Sequence, residues 1–257
     1  MFANERHSLI REMINRTGAV TASELASRFD VSIETIRRDL LALEKAGALC
    51  RVHGGAISQT HLKPAGEFNV RLDEHRLQKK ELSLLAAELI SEGDIIAIDA
   101  GTTAVEFAEV IKKLQLRFTV VTHCKAVFDI ISACDNIECI LIGGKYDKVE
   151  NAFHGHMALE AYRNLHVSKA FIFPTGISLS LGVFDFHPDL LGVQHTLLEI
   201  ADKIIILADS SKFEKTSLFR LCKLNPEHIY ITDSDLPESV FELYKENNLT
   251  IFKGEEK

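Results

Sequence analysis

The sequence predicts an α/β protein in two parts: an N-terminal winged helix-turn-helix, then a larger α/β domain with a mainly parallel sheet. Three observations carry that expectation. The first 57 residues hold three helical patterns followed by a short Gly-Gly hairpin. From about residue 76, apolar strand-like runs alternate with helical stretches. The length, 257 residues, suits roughly two domains. The expected division is 1–57 for the winged helix-turn-helix, 58–75 for a linker and 76–257 for the larger domain.

Leu9, Ile10, Met13 and Ile14 recur at helical spacing, and Gly18 supplies a C′ residue. Thr21-Ala-Ser-Glu24 is a capping box that opens a helix over 22–29, burying Leu25, Ala26 and Phe29. Asp30-Val31-Ser32 makes a tight turn. Ser32 caps a third helix that runs to about Ala46, with Gly47 after it. At about 100° per residue, Ile33, Ile36, Leu40 and Leu43 fall on the inner side. Glu34, Thr35 and Arg38 point the other way, and Arg37 lies on the flank. A Thr and an Arg at the outward, N-terminal end of such a helix suit major-groove reading. Arg38 suits a guanine edge and Arg37 a phosphate, while Ser32 with the helix N-terminal amides suits another phosphate. A solvated Arg-Arg-Asp face without a partner is the bland alternative. The stretch Ala48–Ile57 tips the balance, because it reads as a hairpin with Gly54 in its turn and Arg51 and His53 placed as in a wing.

The chain carries a formal net charge of −8, yet the charge is uneven. The first 60 residues hold 8 basic and 7 acidic side chains, against 21 and 30 in the remainder. A near-neutral small domain can bind DNA when its few cations share one face, but it is not a strong non-specific binder. Acidity farther than about 8–10 Å is largely screened. No run approaches about 18 apolar residues, which argues against a membrane span. The opening MFANERHSLI lacks the pattern of a signal peptide, so a cytoplasmic location is expected. The five cysteines form no C-x-x-C pair and read as reduced thiols in or near cores.

Residues 58–75 lose periodicity and include Pro64 and Gly66, as a connector would. Leu77–Ile90 is an amphipathic helix. Strand-like runs follow at Ile95–Ala100, Phe118–Thr122, Cys139–Ile142, Ala170–Phe173, Lys203–Ala208 and Ile229–Thr232, with Leu249–Phe252 as a further edge strand. Ligands of open α/β sheets sit beyond the carboxyl ends of strands. Five such ends are polar here. After the first, Asp99 and Gly101 lead to Thr102 and Thr103, whose hydroxyls and helix N-terminal amides suit an anion. The others carry Thr122 and His123, then Gly143, Gly144 and Lys145, then Gly176, and last Asp209 with Lys212. His154-Gly-His156 lacks a third metal ligand at a convincing spacing and reads as a surface loop. His187-Pro-Asp189 reads as a turn. No metal, cofactor or catalytic residue is expected.

The run from Val31 to Glu44, followed by Arg51-Val-His-Gly-Gly-Ala56, resembles the N-terminal signature of the DeoR family of bacterial transcriptional regulators. That resemblance implies DNA contacts at Ser32, Thr35, Arg37 and Arg38. Glu67, Arg71 and Lys80 resemble the spaced pattern with which such regulators enter their second domain. The strand-end segments resemble the family's sensor domain, which is similar in fold to ribose-5-phosphate isomerase and binds phosphorylated sugars. This implies that Asp99, Gly101, Thr102 and Thr103 hold the effector phosphate; Asp209 and Lys212 match a recurring family element. Four departures stand out. His123-Cys124 replaces a usual Asn-Ser, Asp147 stands where an Arg is common, Pro174-Thr175 replaces a Gly/Ala-rich stretch, and neither Gln194 nor His195 is the usual Lys. Each alters the sugar end rather than the phosphate loop. The implied protein is a transcriptional regulator, most often a repressor in this family, of sugar genes. Its partners would be a double-stranded DNA operator, a phosphorylated sugar or related effector, and further copies of itself as a dimer or tetramer, since palindromic operators are read by symmetric dimers. The alternatives are an isomerase-like enzyme, or a regulator whose effector site is altered or lost. Against the enzyme, the Pro174 segment offers no carboxylate where the isomerase places an Asp-rich motif.

Overall fold

A computed structural model describes residues 3–17, 19–46, 48–52, 55–58 and 68–255. The chain divides into two compact units; the first holds Met1–Gly66 and Lys215–Leu218, and the second holds Glu67–Glu214 and Phe219–Lys257. The first unit comprises α1 (Ala3–Thr17), β1 (Ala19–Thr21), α2 (Ala22–Phe29), α3 (Ile33–Lys45), β2 (Leu49–Val52) and β3 (Gly55–Ser58). The capping box forms as the sequence predicts: Glu24 N donates to the Thr21 hydroxyl and Thr21 N donates to the Glu24 carboxylate. Asp30 ends α2 in the left-handed region, a conformation Asp tolerates better than most residues. A strand not expected from the sequence, β1, pairs with β3 in a three-stranded antiparallel sheet of order β1-β3-β2. Their approach requires Gly55, because a Cβ there would lie 2.1 Å from the Val20 carbonyl oxygen.

Ile10, Ile14, Leu25, Ile36, Leu40, Leu43 and Leu49 form the core of this unit, with Ala26 and Phe29 packed against its margin. Ile33 departs from expectation and is 47% exposed, as is much of Leu9. As the first residue of α3, Ile33 precedes the turns whose apolar stripe reaches the core. Gly18, Gly47, His53 and Gly54 lie outside the described residues.

The second unit begins with α4 (Phe68–Asp73), a helix inside the stretch expected to be a connector, and α5 (Arg76–Ala87). It continues with β4 (Ile95–Ile98), α6 (Thr102–Ile111), β5 (Phe118–Thr122), α7 (Lys125–Ile131) and β6 (Ile137–Leu141). Next come β7 (Lys145–Asp147), β8 (Ala152–His154), α8 (His156–Arg163), β9 (Val167–Ile172), β10 (Gly176–Ser178), β11 (Gly182–Asp185) and α9 (Pro188–Ile200). The unit closes with β12 (Ala201–Leu207), a 3-10 turn at Ser210–Lys212, β13 (Phe219–Cys222), β14 (Ile229–Thr232), α10 (Glu238–Glu246) and β15 (Thr250–Lys253).

Seven strands form one sheet of order β15-β14-β12-β9-β4-β5-β6, and each adjacent pair is parallel. Both faces are covered, as a parallel sheet requires. Along β12, Ile205 and Leu207 face one core with residues of α5, α6 and α7; Ile204 and Ile206 face the other with residues of α8, α9 and α10. Period-two alternation thus explains why these strands read as unbroken apolar runs. The chain leaves β4 toward β5 and β6, then returns to β9 on the other side of β4. The crevice between the carboxyl ends of β4 and β9 is therefore the topological switch point, where open α/β sheets bind ligands. Smaller elements flank it: a β7–β8 hairpin and a β10-β11-β13 sheet. Cys124, Cys134, Cys139 and Cys222 are free thiols. Among the described residues no helix is long and apolar enough to cross a membrane.

Candidate functional site

The outward face of α3 is built from its N-terminus. The Ser32 hydroxyl accepts from Thr35 N at 3.1 Å and lies 2.8 Å from the Thr35 hydroxyl, so both polar side chains occupy the first turn. Arg37 and Arg38 follow, with side chains 64% and 80% exposed. Glu34 lies 3.6 Å from one and 3.8 Å from the other. Ion pairs this exposed contribute little, so either guanidinium is released to an anion at small cost. Arg51 sits in β2 opposite Ala56.

Asp39, next to Arg38, points the other way and is buried. It accepts two bonds from Arg6, at 2.5 and 2.9 Å, and one from His7 at 2.9 Å. Burial alone would raise its carboxyl, but the bonds from Arg6 and His7 prevail and hold it below the ordinary carboxylate range. The Arg-Arg-Asp run therefore splits into two exposed cations and one buried brace to α1. The solvated Arg-Arg-Asp face of the bland alternative therefore does not form: Arg37 and Arg38 are exposed, as the helical wheel set them, and Asp39 is buried.

In the second unit the switch point gathers buried polar side chains. Gln194 of α9 donates through Nε2 to Asp99 at 2.9 Å and to Asp185 at 2.7 Å. His123 lies 3.1 Å from the Tyr162 hydroxyl through Nδ1 and 3.5 Å from Asp99 Oδ1 through Nε2. Burial pushes the His123 imidazole down to about 3, so it is neutral. Burial also pushes Asp99 up to about 7, with Gln194 opposing and the nearby Asp185 carboxylate adding to the rise. Four buried atoms here have no hydrogen-bond partner: Asp99 Oδ1, His123 Nε2, Gln194 Oε1 and, after β12, Asp209 Oδ2. Buried polar atoms are rarely left so.

Around them, Gly101 has φ 131, which a residue with a side chain rarely adopts, and hands the chain to Thr102 and Thr103 at the start of α6. The Thr122 hydroxyl is already engaged, donating to Ile98 O at 2.8 Å and accepting from Cys124 N at 3.1 Å. Thr122 thus ties the ends of β4 and β5 together. Gly144 is likewise structural, since a Cβ there would meet the His154 carbonyl at 2.5 Å. Gly143 and Lys145 are exposed, and Gly176 is buried in β10. Asp209 caps the 3-10 turn that ends at Lys212. Among the described residues, neither Lys145 nor Lys212 makes a side-chain hydrogen bond to the Asp99 cluster.

Several residues that the sequence did not single out lie here. Asp185 accepts from Phe186 N at 2.5 Å and His187 N at 3.3 Å. His187 Nε2 is 2.7 Å from Glu150, a close ion-pair contact without hydrogen-bond alignment, and Glu150 accepts from Arg71 at 2.6 Å. Burial would lower His187, but the Glu150 carboxylate outweighs it and raises the imidazole. Lys79, not its neighbour Lys80, is the buried lysine of α5. Its ammonium donates to the Arg71 carbonyl, and burial brings it down to about 8, with Asp209 opposing and Lys212 adding to the fall. No spacing rule links these positions; the expected pattern of Glu67, Arg71 and Lys80 held Arg71 but named the lysine one position from the buried Lys79. His154, expected on a surface loop, is instead buried in β8, whereas His156 is exposed.

Comparison with known proteins bears on both units. Residues 6–61 match the model of the DeoR-like helix-turn-helix domain, and residues 74–234 that of the DeoR C terminal sensor domain. An L-fucose operon activator of Haemophilus influenzae is 30% identical over 92% of this chain and 94% of its own. The HTH-type transcriptional repressor GlcR of Bacillus subtilis is 32% identical, over 94% and 92%. Among solved structures, ribose 5-phosphate isomerase A of Methanocaldococcus jannaschii aligns with TM-score 0.42 and 13% identity over 55% of each chain, too distant to bear on function. The relatives are regulators rather than enzymes, and they extend over nearly the whole chain. With a helix-turn-helix and a sensor domain both matched in order, this chain belongs to the DeoR family of DNA-binding transcriptional regulators.

Proposed function

We propose that the protein represses genes of sugar or sugar-derivative metabolism, and that a phosphorylated sugar or related metabolite bound at the β4/β9 switch point alters its affinity for an operator. The observation that carries this reading is the convergence of unpartnered buried polar atoms, on Asp99, His123 and Gln194, at that crevice. The phosphate is assigned to the amides and hydroxyls of Gly101, Thr102 and Thr103. Asp99 is assigned to ligand hydroxyls instead of the phosphate, because a carboxylate repels an anion and accepts from O–H donors. Relatives described as an L-fucose operon activator, a putative aga operon repressor and a lactose phosphotransferase system repressor support sugar-linked control. On the DNA side, Ser32, Thr35, Arg37, Arg38 and Arg51, together with His53 and Gly54, are assigned to the operator, with a symmetric dimer or tetramer reading two half-sites. The division at residues 57 and 76 belongs to the same proposal.

A thermal-shift panel of pentose and hexose phosphates tests it. One compound is expected to raise the melting temperature of the full chain, and Thr102→Val/Thr103→Val to abolish that response. Equal responses from both proteins would remove the phosphate assignment, and no response to any sugar phosphate would remove the effector class.

A further inference from the structure

The β7–β8 hairpin and the first turn of α9 bring together three side chains that the effector reading does not use. Asp147 ends β7, His154 ends β8 and Asp189 follows Pro188 at the start of α9. One potential ligand atom from each lies within 4.8 Å of the other two. None of the three pairs is an ion pair or hydrogen bond, so the groups face one another across a gap. Two metal–ligand bonds of about 2.0–2.2 Å would bridge such a gap after a small closure.

His154 supplies an independent observation. Only 4% of it is exposed, and among the described residues nothing hydrogen-bonds to its ring. Its ligand atom lies within 4.8 Å of one carboxylate oxygen of Asp147 and one of Asp189. The position is also rigid. Gly144 lets β7 pass against the His154 carbonyl, as its missing Cβ shows, and Lys145 pairs with His154 in the hairpin register. One Asp147 oxygen is fixed by the amides of Val149 at 2.7 Å and Glu150 at 3.0 Å, which leaves the other oxygen for an ion. Asp189 is exposed, which gives the site a route to solvent.

We propose that Asp147, His154 and Asp189 bind a divalent transition-metal ion, Zn²⁺ or Mn²⁺. One imidazole and two carboxylates form the mixed nitrogen–oxygen set that these ions accept, and three protein ligands leave coordination positions for water or a ligand hydroxyl. The site does not depend on the effector reading, although the Phe153 amide, next to His154, donates to the His123 carbonyl at 2.8 Å and so places it beside the switch point.

The test uses the full chain, stripped of metal with a chelator and titrated with ZnCl₂ and separately with MnCl₂ by calorimetry, with no sugar present. At least one of the two ions is expected to bind at one equivalent. Asp189→Asn is expected to weaken that binding about tenfold or more while leaving the metal-free melting temperature unchanged, because Asp189 is exposed. Asp147→Asn is expected to act in the same direction. With Co²⁺ as a spectroscopic stand-in, His154→Gln is expected to change the visible absorption; if that variant does not fold, the two Asp variants decide alone. Absence of one-equivalent binding by both ions, or equal affinity in wild-type and Asp189→Asn proteins, overturns the proposal. Neither result bears on sugar-phosphate binding, which is measured separately.

Discussion

At the scale of single residues, neighbours in sequence carry opposite duties. Arg38 is exposed and loosely paired, whereas Asp39 is buried and bonded three times. Arg38→Ala is expected to weaken binding to a defined operator by about 1–3 kcal/mol and to relax preference at one base pair, with stability unchanged. Fluorescence anisotropy against single-base operator variants reads both effects. Asp99 makes a different prediction. Its folded value, about 7, lies above the ordinary carboxyl value near 4. Between those values the folded state keeps a proton that the unfolded chain has lost, so the stabilisation is complete at low pH and fades as pH rises through 7. Asp99→Asn should flatten that part of the stability–pH curve in urea unfolding at pH 5 and pH 8. An unchanged slope would place the titration elsewhere, with Asp185 the first alternative because burial raises it too.

At the scale of elements, two junctions deserve separate tests. The Arg6–Asp39 pair ties α1 to α3, and losing one partner strands a buried charge. Asp39→Ala is therefore expected to destabilise the first unit by about 3–5 kcal/mol. Because the Asp39 carboxyl is held low, its contribution is present above about pH 4 and lost as pH falls. Circular dichroism melts at pH 7 and pH 3 measure both, and a mutant as stable as wild type at pH 7 would contradict the brace. The β4–α6 junction turns on Gly101. A Cβ there meets only Phe173 Cβ at 3.9 Å, so space is available and the obstacle is the φ of 131. Gly101→Ala should cost about 1–3 kcal/mol through backbone strain. These junctions also show what local pattern conveys. The capping box at Thr21 and Glu24 was legible because its partners are three residues apart. Strand β1 was not, because three residues carry too little periodicity and its pairing depends on Gly55 in a distant hairpin.

At the scale of the whole molecule, the proposed effector and the operator would be linked by a coupling free energy. A value of about 1–3 kcal/mol would change operator affinity about 5–150-fold, and the operator would change effector affinity equally. Effector at about 100 times its dissociation constant should add about 2.7 kcal/mol to stability. Anisotropy titrations with and without the best sugar phosphate test that coupling, and operator curves that superimpose would exclude it. Sedimentation of the free protein is expected to give a dimer or larger assembly; a monomer at micromolar concentration would contradict the symmetric-operator reading.

By itself the sequence determined what depends on neighbours along the chain. Helix caps, the outward Thr35 and Arg38, the seven apolar strand runs and the polar residues at their ends are all local. From them follow the winged helix-turn-helix and the parallel sheet. Tertiary structure alone decided which polar ends meet. Gln194 reaches Asp99 across 95 positions and Arg6 reaches Asp39 across 33. It also separated Thr122 and Gly144, engaged in holding strands and hairpin, from the unpartnered atoms of Asp99, His123 and Gln194. The physical reason is that periodicity and capping act over a few residues. Desolvation and charge act through space, and only the fold sets those distances.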